Sequence, residues 1–326
     1  MRAKGYGAYR GRPRWKTVLK IVLVTLLLLV VLAAALMVYL ERYLVVTGEG
    51  VRLELPFFQN QEQEQEQVSP SPTPGQSEPV VVVTPTPVPT PTVLEPVSLE
   101  LTSLLAGTAA QETAAAGGNA ALFDMKSDSG ALAYVSSVER AVSGGLSADD
   151  PTLNGAITSA LEEEGLYAIA RVSCFKDNDL SNEDRSLAVT TNSGYRWTDP
   201  EGIRWVSPTS AEVRDYITEV CVELAELGFD EIMLDNAGYP PEGNLHYIRK
   251  GEAYDESAFS TVIGGFYEQV AAALEPYDTV LSIVTTPEAL AGTDTVTGQT
   301  EENLYAHTAH LWLYTGEGQY AMLANP

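Results

Sequence analysis

Charged side chains recur at the ends of short apolar runs, and chemistry would gather at those ends. Asn119–Lys126 reads NAALFDMK and closes on Asp124 and Lys126, with Asp128 and Gly130 just beyond. Leu166–Phe175 (LYAIARVSCF) carries Arg171 and runs into Lys176 and Asp177. Glu231–Asp235 (EIMLD) ends at Asp235-Asn236, and Thr279–Thr285 is followed by Glu288. Alternation along a strand puts Asp124 and Lys126 on one face, and Glu231, Met233 and Asp235 on one face of theirs. Carboxylates and cations meeting in one place can bind and polarise a substrate. They can equally neutralise one another as a salt-bridge network, because polar groups turned inward need partners. A lone strand-end carboxylate can also cap the next helix. Spacing alone leaves these readings open.

Aromatic residues gather in one loop. Gly194–Pro208 (GYRWTDPEGIRWVSP) holds Tyr195, Trp197 and Trp205 together with Arg196, Asp199 and Arg204. Aromatic faces beside hydrogen-bonding groups suit a sugar ring, which has apolar C–H faces and equatorial hydroxyls. The alternative is that the tryptophans pack the loop onto the body of the domain. Two cysteines and three histidines are too few for a disulfide framework or a Cys/His zinc module. Cys174 falls on the face opposite Arg171, and Cys221 on the apolar stripe of a helix, so both read as small core residues; a disulfide between them is the alternative in an oxidising compartment. His246, His307 and His310 have no ligand-like spacing, so neither a metal site nor a cofactor is expected.

The elements that must position these residues alternate in type. Val97–Ala106 is the first strand candidate, followed by a short helix over Thr108–Ala116 and a second strand at Asn119–Lys126. A helix opens at Asp150-Pro151 and stops at Gly165. Leu166–Phe175 is the third strand. Ala211–Leu227 is the clearest helix: Val213, Tyr216, Ile217, Val220, Cys221 and Leu224 share one face, Thr209 or Ser210 caps it, and Gly228 ends it. Glu231–Asp235 is the fourth strand, Asp255–Leu274 a helix, Thr279–Thr285 the fifth strand, Glu301–Ala309 a short helix and His310–Tyr314 the sixth strand. Such alternation implies parallel strands with right-handed crossovers. A doubly wound sheet and a (β/α) barrel both fit, and both place ligands at the carboxyl ends of the strands. No glycine-rich dinucleotide fingerprint follows any strand, which lowers the doubly wound reading.

The charge separates the 326-residue chain into two environments. Residues 1–20 hold seven of the 19 Lys and Arg (Arg2, Lys4, Arg10, Arg12, Arg14, Lys16, Lys20) and no acid. The rest carries 12 basic against 44 acidic residues, a net of −32. Such an acidic surface repels phosphate backbones, so a nucleic-acid partner is not expected. Ile21–Leu40 is a nearly unbroken apolar run. Twenty residues at ~1.5 Å each span about the ~30 Å hydrocarbon core. The positive-inside rule then leaves 1–20 cytoplasmic and everything after Glu41 external; a cleaved signal peptide is the alternative, although the run exceeds a signal peptide's usual ~7–15 apolar residues. Residues 41–96 form a juxtamembrane segment and a linker rich first in Gln and Glu, then in Pro and Thr. Its prolines exclude helix and sheet interior and make it an extended, disordered spacer. Residues 97–326 are the packed domain.

FDMKSDSG (Phe123–Gly130), GLYAIARVSCFKD (Gly165–Asp177), YRWTDPEGIRWVSP (Tyr195–Pro208) and GFDEIMLDNAGYP (Gly228–Pro240) together resemble the successive motifs of a glycoside-hydrolase-like family of bacterial surface proteins. The resemblance covers about Val97 to Tyr314. It implies a TIM barrel distantly similar to the α-amylase group, with Asp235 in the position of the strand-four nucleophile, Asp124 and Lys126 matching the strand-two motif, and Arg171 and Lys176 the strand-three motif. Two departures stand out. The family places a Tyr and an Arg after the strand-four Asp, where this chain has Asn236 and Gly238, and an aspartate within strand five, where this chain has Val284. Six strands are clear, Ala321–Asn325 is a candidate for a seventh, and an eighth is missing.

The expectation is therefore a single-pass membrane protein with an external TIM-barrel-like domain, incomplete at six to seven strands, that acts on or binds a polysaccharide. Asp235 would be the nucleophile and Glu288 or Asp124 the acid/base. Lys126, Arg171, Lys176, Trp197, Trp205, Asn236 and Tyr239 would hold substrate. The alternative is a non-catalytic carbohydrate-binding or surface-interaction domain.

Overall fold

The structure, a computed structural model, describes residues 44–47, 50–53 and 93–323. The chain divides into two units, residues 1–85 and 86–326. In the first, β1 (Leu44–Thr47) pairs antiparallel with β2 (Gly50–Leu53), a small hairpin within the stretch 41–96 expected to be a juxtamembrane segment and linker. The basic tail, the membrane anchor expected at 21–40 and all but the last residues of the expected Pro/Thr-rich spacer lie outside the described residues. Among the described residues, no helix is long and apolar enough to cross a membrane.

The second unit is a seven-stranded sheet of β3 (Pro96–Leu99), β4 (Ala120–Lys126), β5 (Tyr167–Ser173), β6 (Glu231–Asp235), β7 (Val280–Thr285), β8 (His310–Gly316) and β9 (Gln319–Leu323), in sequence order across the sheet. β3 to β8 pair in parallel, as the alternation of elements implies. β9 departs from that rule: it turns back through Glu317-Gly318 and pairs antiparallel with β8. It thereby reaches the first strand. Ser98 Oγ donates to Gly318 O at 2.7 Å, and Leu94 N donates to Met322 Sδ at 3.2 Å, so the sheet is nearly closed into a barrel.

Side-chain alternation sorts the strands into two cores. Ala120, Leu122, Ile169, Met233, Val284, Trp312 and Tyr320 fill the barrel interior. The opposite faces, with Phe123, Ala170, Val172, Ile232, Leu234 and Ile283, pack under the helices. The helices are α1 (Leu101–Leu105), α2 (Ala109–Ala115), α3 (Glu139–Gly144), α4 (Leu153–Glu164), α5 (Asn178–Glu183), α6 (Ala211–Leu227), α7 (Phe259–Leu274), α8 (Pro287–Leu290) and α9 (Glu301–Ala306). α6 has the expected bounds. Ser210 accepts a hydrogen bond from Val213 N at its start, and Gly228, at φ 101°, ends it in the left-handed conformation that glycine adopts without strain. The first strand is shorter than its apolar run, because Leu101–Leu105 coils into α1 instead.

The two ends of the barrel differ. At the amino-terminal end, Glu231 is fully buried yet satisfied: it accepts from Trp312 Nε1 at 2.8 Å and Tyr167 OH at 2.9 Å, and meets His310 Nδ1 at 2.9 Å. That network plugs the floor. The carboxyl end opens into a cavity.

Candidate active site at the barrel mouth

The cavity has a volume of about 520 Å³ and draws its walls from every strand end. β4 contributes Asp124, and the turn after it, closed by Gly130 N on Ser127 O, contributes Asp128. β5 contributes Arg171, β6 Asp235 and the residues after it, β7 Val284 and Thr285, β8 Tyr314 and β9 Tyr320.

Arg171 organises the centre. Its Nη1 lies 2.8 Å from Asp124 Oδ1, and its Nη2 lies 2.7 Å from both Asp128 Oδ1 and Asp235 Oδ2. Its Nε donates to Asp235 Oδ2 at 2.8 Å, and Tyr320 OH donates to the same oxygen at 2.8 Å. Burial would lower the guanidinium's pKa, but Asp235 and its neighbours outweigh it and raise it. Burial and the facing Asp235 raise Tyr320, which keeps it a phenol that donates. Lys176 forms a second node with Asp128 at 3.3 Å, Asp199 at 3.3 Å and Glu201 at 2.5 Å. Burial acting alone would raise Asp128; the charge and hydrogen bond of Arg171, then the charge of Lys176, overcome it and hold this carboxyl below its ordinary range.

Asn236 closes the centre from the strand-four side. It adopts φ 48°, a left-handed conformation that asparagine tolerates better than most residues. There its N–H donates to Asp235 Oδ1 at 2.7 Å, and its amide donates to Asp128 Oδ1 at 3.2 Å and Ser173 Oγ at 3.0 Å. Two residues on, Gly238 lies against the Thr297 backbone, where a Cβ would stand 2.8 Å from the carbonyl oxygen. The position of the family's arginine therefore has no room for a side chain, and Val284, at that of its strand-five aspartate, presents an apolar wall.

Of the residues singled out from the sequence, Asp124, Arg171, Lys176, Trp205, Asp235, Asn236 and Tyr239 line the cavity, whereas Lys126, Trp197 and Glu288 do not. Lys126 is a correction with a clear cause. A register shift between Asp124 and Lys126 inserts one residue into β4, and the side chain after it turns to the helix side. There it is fully buried, donating to Asp177 Oδ2 at 2.6 Å and Ser173 O at 2.8 Å under the Tyr216 ring. Glu288 sits in the first turn of α8, exposed and away from the cavity wall. The expected tryptophan platform is absent. Trp197 is 2% exposed with its Nε1 donating to Asn244 O, and Trp205 is 3% exposed with its Nε1 donating to Asp199 Oδ2, so both pack the loop onto the barrel. Tyr239 lends only an edge, since its ring stacks on Phe259 at 3.6 Å and its hydroxyl bonds Thr209.

The exposed aromatic at the mouth is Tyr314, 56% exposed and beside Tyr320 at 5.4 Å between ring centroids. It and Tyr320 were missed by sequence reasoning, along with the rim acids Glu100, Glu201 and Glu242. Strand-end position was a usable signal for Tyr314; the others arrive by loop geometry or by the reversed last strand. Cys174 and Cys221 are free and buried on the helix side, where burial raises Cys221 to about 12. Among the described residues, no group of His, Cys, Asp and Glu is arranged to hold a metal ion.

Residues 110–311 match a family described as "Putative glycosyl hydrolase domain". Among curated proteins, none matches the sequence. Similar solved structures include a hypothetical protein from Ruminiclostridium thermocellum ATCC 27405, at 24% identity and a TM-score of 0.47 over 57% of this chain and 96% of that one. The glycoside hydrolase domain of PgaB (BpsB) from Bordetella bronchiseptica matches at 13% identity and 0.49 over 68% of this chain and 74% of that one. TtGalA, the α-galactosidase of Thermus thermophilus, matches at 12% identity and 0.38 over 59% of this chain and 38% of its own length.

Proposed function

The chain belongs to that glycosyl hydrolase family, and from this premise we propose that the barrel hydrolyses glycosidic bonds of a polysaccharide in the mouth cavity, with Asp235 as nucleophile and Asp124 as acid/base. The observation that carries the reading is the placement of Asp235. It ends β6 at the carboxyl end of the barrel, on the cavity wall, oriented by Arg171, Tyr320 and the Asn236 N–H. An oriented carboxylate can attack the anomeric carbon as the glycosidic oxygen leaves with a proton; water then attacks the glycosyl-enzyme and returns the proton.

Two aspartates compete for the acid. Asp128 Oδ1 and Asp235 Oδ2 each lie 2.7 Å from the same Arg171 nitrogen, so both carboxylates stand on one guanidinium. Asp128 is nevertheless the poorer donor, because Arg171 and Lys176 hold it in its ionised form. Asp124 is half exposed and has a single ion-pair contact, through Oδ1, leaving Oδ2 open to the cavity. Asp235→Asn keeps shape and removes charge, and Arg171 retains two aspartates, so the variant is expected to fold. Hydrolysis of a polysaccharide panel by the purified full chain is expected to fall at least ~10³-fold. Undiminished cleavage in the folded variant would exclude Asp235 as nucleophile.

A second reading, a carbohydrate-binding domain without catalysis, is favoured by one observation: Asp124, Asp128 and Asp235 all share one guanidinium, as a structural network would. Binding without cleavage by the wild-type chain would select it. The basic residues 1–20 and the apolar run 21–40 support display of the domain outside a cell membrane, with the amino terminus inside.

A further inference from the structure

We propose that the mouth cavity is specific for a polysaccharide whose sugars carry protonated amines, a de-N-acetylated amino-sugar polymer, and that Glu100 and Glu242 on the rim set this preference. The inference rests on the glycosidase reading and names its substrate class. Six carboxylates line the cavity, those of Glu100, Asp124, Asp128, Glu201, Asp235 and Glu242, against the cations of Arg171 and Lys176. The chain is acidic throughout, so a count alone decides little. What decides is how the cations are used.

Arg171 is spent on three aspartates, and Lys176 on Asp128, Asp199 and Glu201. Neither presents a free positive face to a substrate. A uronate, phosphate or sulfate group entering the cavity would have to displace an internal carboxylate to find a partner, and would meet the remaining acids while doing so. The reverse holds for a cation. Glu100, in the turn between β3 and α1, and Glu242, in the loop after β6, are exposed, and their carboxylates have no hydrogen bond or ion pair among the described residues. With Asp124 Oδ2 they leave acceptors open around the mouth.

These acceptors are spread round the wall, and no set of three converges to hold a metal ion among the described residues. Dispersed negative charge matches positive charge repeated along a polymer, one amine per sugar, rather than a single ion. The exposed Tyr314 ring supplies an apolar face for the C–H side of such a sugar. N-acetylation removes the amine's charge and leaves the ring otherwise similar, so it isolates the electrostatic part of recognition.

The test uses the full chain carrying Asp235→Asn, so that binding is read without turnover. Oligosaccharides of glucosamine and of galactosamine are offered in N-acetylated and de-N-acetylated forms, beside neutral glucans and oligogalacturonate. De-N-acetylated forms are expected to bind at least ~10-fold more tightly than acetylated ones, with the ratio shrinking as salt shortens the ~8 Å Debye length of physiological buffer. Adding Glu100→Gln and Glu242→Gln is expected to bring the ratio towards one. Adding Glu162→Gln and Glu163→Gln instead, on exposed positions of α4, is expected to leave it unchanged. A ratio near one, or an equal loss with both acid pairs, overturns the inference. Cleavage of neutral or acetylated glycans in an Asp235-dependent manner, with no preference for the amine, overturns it while the glycosidase reading stands. Absence of binding and cleavage across all glycans overturns both.

Discussion

At the scale of single residues, the site is built around competition for two cations, and its acid sensitivity follows. Arg171 and Lys176 hold Asp128 below its ordinary range despite its burial. A carboxyl whose folded value is depressed contributes stability above the unfolded value of ~3.9, and that contribution is lost as pH falls through the lower folded value. Asp128→Asn is therefore expected to flatten the acid limb of the stability curve below about pH 4, with little change in its shape near neutrality. Denaturant midpoints measured from pH 2.5 to 7 check this, and an unchanged acid limb would show that Asp128 is not among the groups responsible. The sequence made Asp124, Arg171 and Asp235 legible because each ends or lies within a regular strand, where position fixes direction, and Lys176 because it follows closely on one. It made Trp197 and Trp205 illegible as packing residues, because an aromatic in a loop has no periodicity to say which way it faces.

At the scale of elements, one inserted residue separates expectation from structure. Strict alternation places Lys126 beside Asp124 in the mouth. The register shift after Asp124 sends it behind the sheet, where it joins Asp177, the residue that caps α5 by accepting from Leu180 N. Gly130 makes room for that arrangement: it adopts φ 103°, and a Cβ there would stand 2.2 Å from Asp177 Oδ1. The buried pair thus ties the turn carrying Asp128 to the loop carrying Lys176. Both partners are almost wholly shielded, at 0% and 1% exposure, so removing one leaves an uncompensated buried charge. Lys126→Met is expected to cost roughly 3–5 kcal/mol in equilibrium unfolding, and Lys126→Met with Asp177→Asn to recover much of it. A loss below ~1 kcal/mol for the single variant would mean that water or a rearranged side chain reaches Asp177. The same limit on local reasoning applies to β9. Ala321–Asn325 is from its sequence a candidate for a seventh strand, whereas the reversed direction of β9 is set by the short Glu317-Gly318 turn and by the gap it fills beside β3.

At the scale of the molecule, charge and composition divide the chain more sharply than any motif does. The acid surplus falls after residue 20, the run capable of spanning a bilayer is 21–40, and the prolines concentrate before Pro96. The barrel interior is filled from six strands, Glu231 and its partners plug one end, and β9 brings the last edge back to the first. Proline fixes φ and removes a donor, so the Pro/Thr-rich stretch before Pro96 is expected from its sequence to stay out of the sheet and to be open to a protease. Protease added to intact cells is expected to cut within 57–97 and release a fragment of about 230 residues that resists further digestion and keeps the glycan binding of the full chain. On the proposed orientation, with the basic residues of 1–20 in the cytoplasm, that cut falls outside. A domain that becomes accessible only after the cells are opened would reverse the orientation. A fragment cut repeatedly within 97–323 would show that the nearly closed sheet opens between β3 and β9, where two hydrogen bonds, from Ser98 and Leu94, hold strands that the regular ladder does not join.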